Sequence, residues 1–202
     1  MKIFICILIS LLSHSLLASE LLSGKVVDLK GTATLTKSNT NLKVGDVIHE
    51  GDKVATGERS RLRLLLNTEA AIQLGPKSEF ELKKEESGPI LIELLRGTVL
   101  SRIKPSAQND TAEKYKVKIQ GVVLAVRGTS FFVAQEKEAN PIYVCFCQGT
   151  IDFHMNHIAK TLKTKHHDVE YWIKGDQIRF KGKDITHTDQ DISELGDILI
   201  KH

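Results

Sequence analysis

Apolar and polar residues alternate with period two through most of this chain. Successive side chains of an extended strand point to opposite faces, so the alternation predicts half-buried β-strands. LSGKVVDLKGTATLTK (residues 22–37) sets Val26, Leu29, Ala33 and Leu35 between polar positions, punctuated by Gly24 and Gly31, and reads as strand, turn, strand. Very short apolar pieces follow, separated by turns at Gly45-Asp46 and Gly51-Asp52. Leu62, Leu64 and Leu66 then alternate, succeeded by Ala71-Ile72-Gln73-Leu74 and by Phe80 and Leu82. PILIELLRGTVLSRI (89–103) and IYVCFCQGTIDFHM (142–155) each read as strand, turn, strand, the first turning at Arg96-Gly97. PSAQNDTAEK (105–114) is polar and turn-rich and predicts a loop. A hairpin is expected around Gly175-Asp176, while MNHIAKTLKTKHHDV (155–169) fits no single template. Ile192, Leu195, Ile198 and Leu199 recur at helical spacing after Asp189 and Asp191, which predicts a short terminal helix with those acids as caps.

A weak internal similarity runs through the strands. Gly24-Lys25-Val26, Gly97-Thr98-Val99 and Gly149-Thr150-Ile151 each place a glycine ahead of a β-branched residue, as though opening a strand at related corners. Their intervals are too unequal for a solenoid period.

The N-terminus follows a different rule. Met1-Lys2 and IFICILISLLSHSLLA form a short basic region, an apolar region and a small-residue exit at Ala18, the three parts of a secretory signal peptide over residues 1–18. The apolar run is shorter than the ~20 residues that span a bilayer. Cys6 lies inside it rather than after the exit, which argues against a lipid-anchored cysteine. The mature chain is expected to be periplasmic, without a membrane span.

Composition narrows the function. Lys and Arg number 28 against 25 acids, a net charge of +3 with the basic residues scattered, which argues against nucleic acid as a partner. Hydrophobic content of 41% supports a buried core, and fourteen glycines with few aromatics suit many turns.

GVVLAVRGTSFFVAQ (121–135) resembles the signature of FecR domains, in which an apolar strand leads into Val-Arg-Gly-Thr, then an aromatic and another strand. GKVVDLKGTATL, VGDVIHEGDKVATGERSRLRLLL, IQLGPKSEFEL and LLRGTVLSRI resemble the approach to it in order and spacing, over residues 24–152. The resemblance implies an all-β, non-catalytic periplasmic domain that works by interaction. The best-known members span the inner membrane and relay outer-membrane transporter status to a sigma factor in siderophore-dependent iron uptake. This chain departs from them in showing no anti-sigma segment ahead of the domain and no spanning helix, and is similar to the exported stand-alone members. Within the signature Val126, Arg127, Gly128 and Thr129 read as structural: an arginine beside core-like Phe131, Phe132 and Val133 needs fixed carbonyl or carboxylate partners. An anionic ligand for Arg127 is the competing reading.

The most reactive residue types lie just beyond. Cys145 and Cys147 flank Phe146, so on a strand both sulfurs face one side. His154, His157, His166 and His167 follow. The cysteines could join histidines around zinc or another transition metal, form a strained disulfide, or serve as small core residues. Among the histidines, His166 and His167 are preferred because VEYWI after them could lie beside the cysteine strand, with His154 and His157 in reserve. Adjacent residues on a strand point apart, so only one of His166 and His167 should reach the sulfurs.

No nucleophile elbow, P-loop or HEXXH helix occurs, and no enzyme is expected. The fold expected is all-β: stacked short strands, as a sandwich or an irregular β-solenoid-like FecR domain over 22–153, with a packed extension over 154–202 carrying a β-hairpin and a short helix. The function expected is interaction or signal sensing with a protein or envelope ligand. A metal-binding or redox-responsive protein and a cell-envelope glycan binder are the alternatives.

Overall fold

The period-two pattern produces strands along nearly the whole chain. The computed structural model describes residues 22–85, 88–104, 115–135, 141–155, 158–167, 169–175, 177–180 and 187–201. The signal peptide expected over 1–18 and the loop expected over 105–114 lie outside them. The strands are β1 (Ser23–Lys30), β2 (Ala33–Leu35), β3 (Thr40–Asn41), β4 (Val47–His49), β5 (Lys53–Thr56), β6 (Arg61–Leu66), β7 (Ala70–Leu74) and β8 (Glu79–Lys84). Then come β9 (Ile90–Ile103), β10 (Tyr115–Ile119), β11 (Val122–Gln135), β12 (Ile142–Met155), β13 (Ile158–Thr164), β14 (Val169–Lys174) and β15 (Gln177–Phe180). Among the described residues one helix, α1 (Asp189–Lys201), follows the strands. The fold is thus all-β with a short helix, as the alternation predicts. The ambiguous stretch after Met155 resolves as β13, paired antiparallel to β12.

All fifteen strands join one hydrogen-bonded network, whose spine runs β15-β14-β12-β11-β10-β9-β7-β6-β1-β4. The pairings are antiparallel except for β9 with β10. The network wraps around a single enclosed core, to which β1, β6, β8, β11 and β12 contribute Val26, Leu64, Phe80, Phe131 and Phe146. β6 shows how alternation assigns faces: Leu62, Leu64 and Leu66 enter that core, while Leu65 turns to the other side.

Two expected turns are not turns. Gly97 and Gly149 lie in the middle of β9 and β12, each a continuous strand of fourteen residues. There the strands change neighbours. Residues before Gly97 pair with β8 and β10, and those from Gly97 onward with β7 and β11. β12 likewise pairs with β14 before Gly149 and with β13 from it. Between them β11 shifts register from Arg127 to Ser130, across the third Gly-Thr pair of the sequence. The alternation signals bends as readily as reversals, because glycine supplies a positive φ in either setting. Both glycines use it, at +90° and +107°.

Gly97 is fixed by space as well as by φ. A Cβ there would stand 2.4 Å from the Cα of Ser78. Ser78 needs to be that close: its Oγ accepts from Thr98 N–H at 2.9 Å, and its own N–H donates to Thr56 Oγ1 at 2.9 Å. Gly97→Ala is therefore expected to cost about 2–4 kcal/mol through strain and the displaced Ser78 backbone. A urea-denaturation midpoint equal to the parent's would refute the bend's dependence on this glycine.

Candidate functional site

A second apolar surface lies on the outside of the sheet. Leu65, Ala71, Leu100, Phe132, Tyr143, Cys145 and Cys147 form it, and α1 covers it with Ile192, Leu195 and Leu199. α1 begins at a reciprocal cap. Thr188 N–H and Oγ1–H donate to Asp191 Oδ2 at 3.0 and 2.7 Å, and Asp191 N–H donates back to Thr188 Oγ1 at 3.2 Å. The cap is therefore Thr188 with Asp191 at the third helical position, rather than Asp189. Arg63, buried on the outer face of β6, holds the first turns: it pairs with Glu194, approaches Asp191 at 3.8 Å, and donates through Nε to Gln73 Oε1 at 2.7 Å. Cap and anchor together fix His187 and Asp189 against the sheet.

There a polar cluster interrupts the apolar surface. Cys145 and Cys147, two apart on β12, present their sulfurs to this face 3.8 Å apart. His167 Nδ1 lies 3.4 Å from the Cys145 sulfur, and His187 Nε2 lies 3.1 Å from that of Cys147. All four residues are buried, with their ligand atoms within 4.8 Å of one another. His167 sits in a bend after β13 with φ of +43°, where its N–H donates to Cys147 O at 3.0 Å. Its other ring nitrogen, Nε2–H, donates to Asp189 Oδ1 at 3.0 Å. The His187 ring stacks on Phe132 with centroids 4.5 Å apart. Its Nδ1 has no hydrogen-bond partner among the described residues.

The electrostatics favour a shared negative charge on sulfur. The hydrogen bond from Cys147, joined by those from His187 and His167, outweighs burial and holds the Cys145 thiol well below its ordinary value. Burial, and then the neighbouring Cys145 sulfur, push Cys147 well above it. Burial opposes a charge on His167, but Cys145 and Asp189 prevail and raise it. The donor set, two sulfurs and two imidazole nitrogens, is one that a borderline or soft divalent ion takes.

The structure brings Cys145, Cys147 and His167 together and leaves His166 out. β14 does lie beside the cysteine strand, with Glu170 opposite Cys145. His166 is exposed in the same bend after β13, its Nε2 3.7 Å from Asp189 Oδ2, on the outer side of the carboxylate that His167 also meets. His187 takes the place expected of it. Of the reserve pair, His154 is exposed on β12 and His157 lies outside the described residues. His187 and Asp189 carry no spacing signal relative to the cysteines; only the Thr188-x-x-Asp191 cap beside them marks where the helix begins. In the signature, Val126 and Thr129 are buried. The Arg127 side chain lies outside the described residues.

Beside His187 a cleft of about 410 Å³ opens, with Lys30, Arg59 and Arg61 on its walls and Leu100 and Phe132 among its apolar lining.

Comparison with known proteins bears on the strands more than on the cluster. The family model for FecR protein matches residues 52–152, half of the chain, which takes in both cysteines and neither His167 nor His187. Two crystal structures of a candidate anti-sigma factor from Parabacteroides distasonis ATCC 8503 are similar in fold, with TM-scores of 0.55 and 0.54. Each is 16% identical, and the likeness covers 65% of this chain and 60% of that one. This chain thus matches about three-fifths of the length of those structures. No curated protein matches it.

The helix anchor predicts an acid dependence. Hydrogen bonds from Arg63 and Gln190 lower the Glu194 carboxyl, while for Asp191 burial is outweighed by hydrogen bonds from Thr188 and Gln73. A carboxylate depressed in the folded state adds stability above its unfolded value, about 3.9 for Asp and 4.3 for Glu, and loses it as pH falls through the lower folded one. The double substitution Asp191→Asn, Glu194→Gln should lower the urea midpoint at neutral pH. That deficit should narrow steadily as pH drops below about 4. A deficit constant with pH would exclude the two carboxylates as the anchor.

Proposed function

The chain belongs to the FecR protein family, and on that premise we propose that it is an exported, non-catalytic module that senses or relays a signal by binding a protein in the cell envelope. The observation that carries this reading is the family match itself, which runs through the strands that build the enclosed core. Likeness in fold to candidate anti-sigma factors supports regulation over chemistry. The hydrophobic leader over residues 1–18 supports export to the periplasm.

The cleft beside His187 supports an acidic partner segment. Lys30 and Arg59 are exposed at its edge, while Phe132 and Leu100 offer apolar contact. Charged rims steer encounter and apolar floors add contact area, the division of labour found in many protein interfaces.

Cross-linking in cells followed by affinity recovery from the envelope fraction should capture one reproducible protein partner. Lys30→Glu with Arg59→Glu should reduce its recovery at least about five-fold, a loss of roughly 1 kcal/mol in binding. Failure to recover any partner, or retention on purified sacculi in place of one, would overturn the reading in favour of a glycan binder or another role.

A further inference from the structure

We propose that Cys145, Cys147, His167 and His187 form a zinc site that fastens α1 to the outer face of the sheet, with Asp189 as the outer partner of His167. The inference goes beyond signal sensing and stands independently of any binding partner.

The distances come close to those the ion needs. With Zn–S near 2.3 Å and Zn–N near 2.0–2.1 Å, the edges of a tetrahedron run from roughly 3.3 to 3.8 Å. The observed sulfur–sulfur separation is 3.8 Å and the sulfur–nitrogen contacts are 3.4 and 3.1 Å, the last shorter than a tetrahedral edge, with all four ligand atoms within 4.8 Å, so modest side-chain adjustment would close the site on an ion. A disulfide would require the sulfurs near 2.05 Å, so their present spacing fits bridging by an ion better than bonding to each other. Nor does the cluster resemble ordinary core packing. Two imidazoles and two thiols on an otherwise apolar surface gather their ligand atoms within 4.8 Å of one another.

The surroundings also favour a cation. His167 donates its second ring N–H to the Asp189 carboxylate, the carboxylate–histidine–metal arrangement that fixes tautomer and ring orientation. Glu170 is buried opposite Cys145 in register. On zinc entry the protons remaining on the two sulfurs and on His167 Nδ1 leave to solvent as the S–Zn and N–Zn bonds form. His167 Nδ1 and His187 Nε2 contribute lone pairs, and His167 keeps its proton on Nε2.

The ligands come from three separated segments. Two belong to β12, one to the bend after β13, and His187 precedes the cap of α1. One ion would therefore close loops of about 20 residues each, and the cover over Leu65, Ala71, Leu100 and Phe132 would depend on it.

The full chain, reduced and handled without oxygen, should retain about one zinc ion after dialysis, read by elemental analysis. Titration with Co2+ should give thiolate charge-transfer and tetrahedral ligand-field bands that Zn2+ bleaches. His187→Ala should weaken Co2+ binding at least about 100-fold and Asp189→Asn about 10-fold, whereas His166→Ala should leave it unchanged. Chelation should raise hydrogen exchange across residues 189–201. A wild-type chain that takes up neither zinc nor cobalt overturns the site, whether or not any variant folds. Cobalt binding lost with His166→Ala but kept with His187→Ala overturns the ligand assignment, and exchange in α1 unmoved by chelation overturns the fastening.

Discussion

The first half of β12 is buried on both faces, and the outer architecture depends on that constraint. Ile142, Val144 and Phe146 point into the enclosed core, while Tyr143, Cys145 and Cys147 point to the outer surface of the sheet. A strand apolar on both sides needs a layer on each side. The wrapped sheet supplies the inner one from its own far strands. The outer one has to come from elsewhere in the chain, and α1 provides it. Its stripe of Ile192, Leu195 and Leu199 lands on the surface that Cys145 and Cys147 share with Leu100 and Phe132.

A thirteen-residue helix with three buried apolar side chains is a weak cover by itself. That explains the polar devices at its leading end. Arg63 reaches out from β6 to Glu194 and Asp191, Thr188 and Asp191 cap one another, and Asp189 holds the imidazole of His167. Every one of these contacts lies in the first turns of α1 or just before it. At the far end, Ile200 is exposed. The helix is pinned where the cysteine–histidine cluster sits.

Much of this was legible in the sequence, for identifiable reasons. Period-two alternation marks strands because one face is buried and one wet, and it located Leu62, Leu64 and Leu66 correctly. The same logic put both cysteine sulfurs on one face; it had no hold on His166 and His167, which lie in the bend after β13 and not on a strand. Local rules failed where a residue has two uses. Gly97 and Gly149 looked like hairpin turns because positive φ serves a reversal and a mid-strand bend alike, and only the pairing partners distinguish them. His187 was invisible for another reason. It lies 40 residues from Cys147, and no periodicity connects them; the contact exists because α1 folds back over the sheet.

The division of the cluster between segments bears on the proposed sensing role. The residues matched to FecR protein contribute the sulfurs, and the chain beyond them contributes the imidazoles, the carboxylate and the helix. A strand buried inside a wrapped sheet cannot move without disrupting the core, whereas a helix held mainly at one end can leave as a unit. Loss of an ion from the proposed site would therefore free the helix before it disturbed the sheet. What it would uncover is the apolar surface of Leu65, Leu100 and Phe132, next to a cleft walled by Lys30, Arg59 and Arg61. Phe132 and His187 belong to both, since Phe132 lines the cleft and stacks on the His187 ring. The chemistry at sulfur and the surface presented to a partner are thus one side chain apart, which is the coupling a sensing module needs.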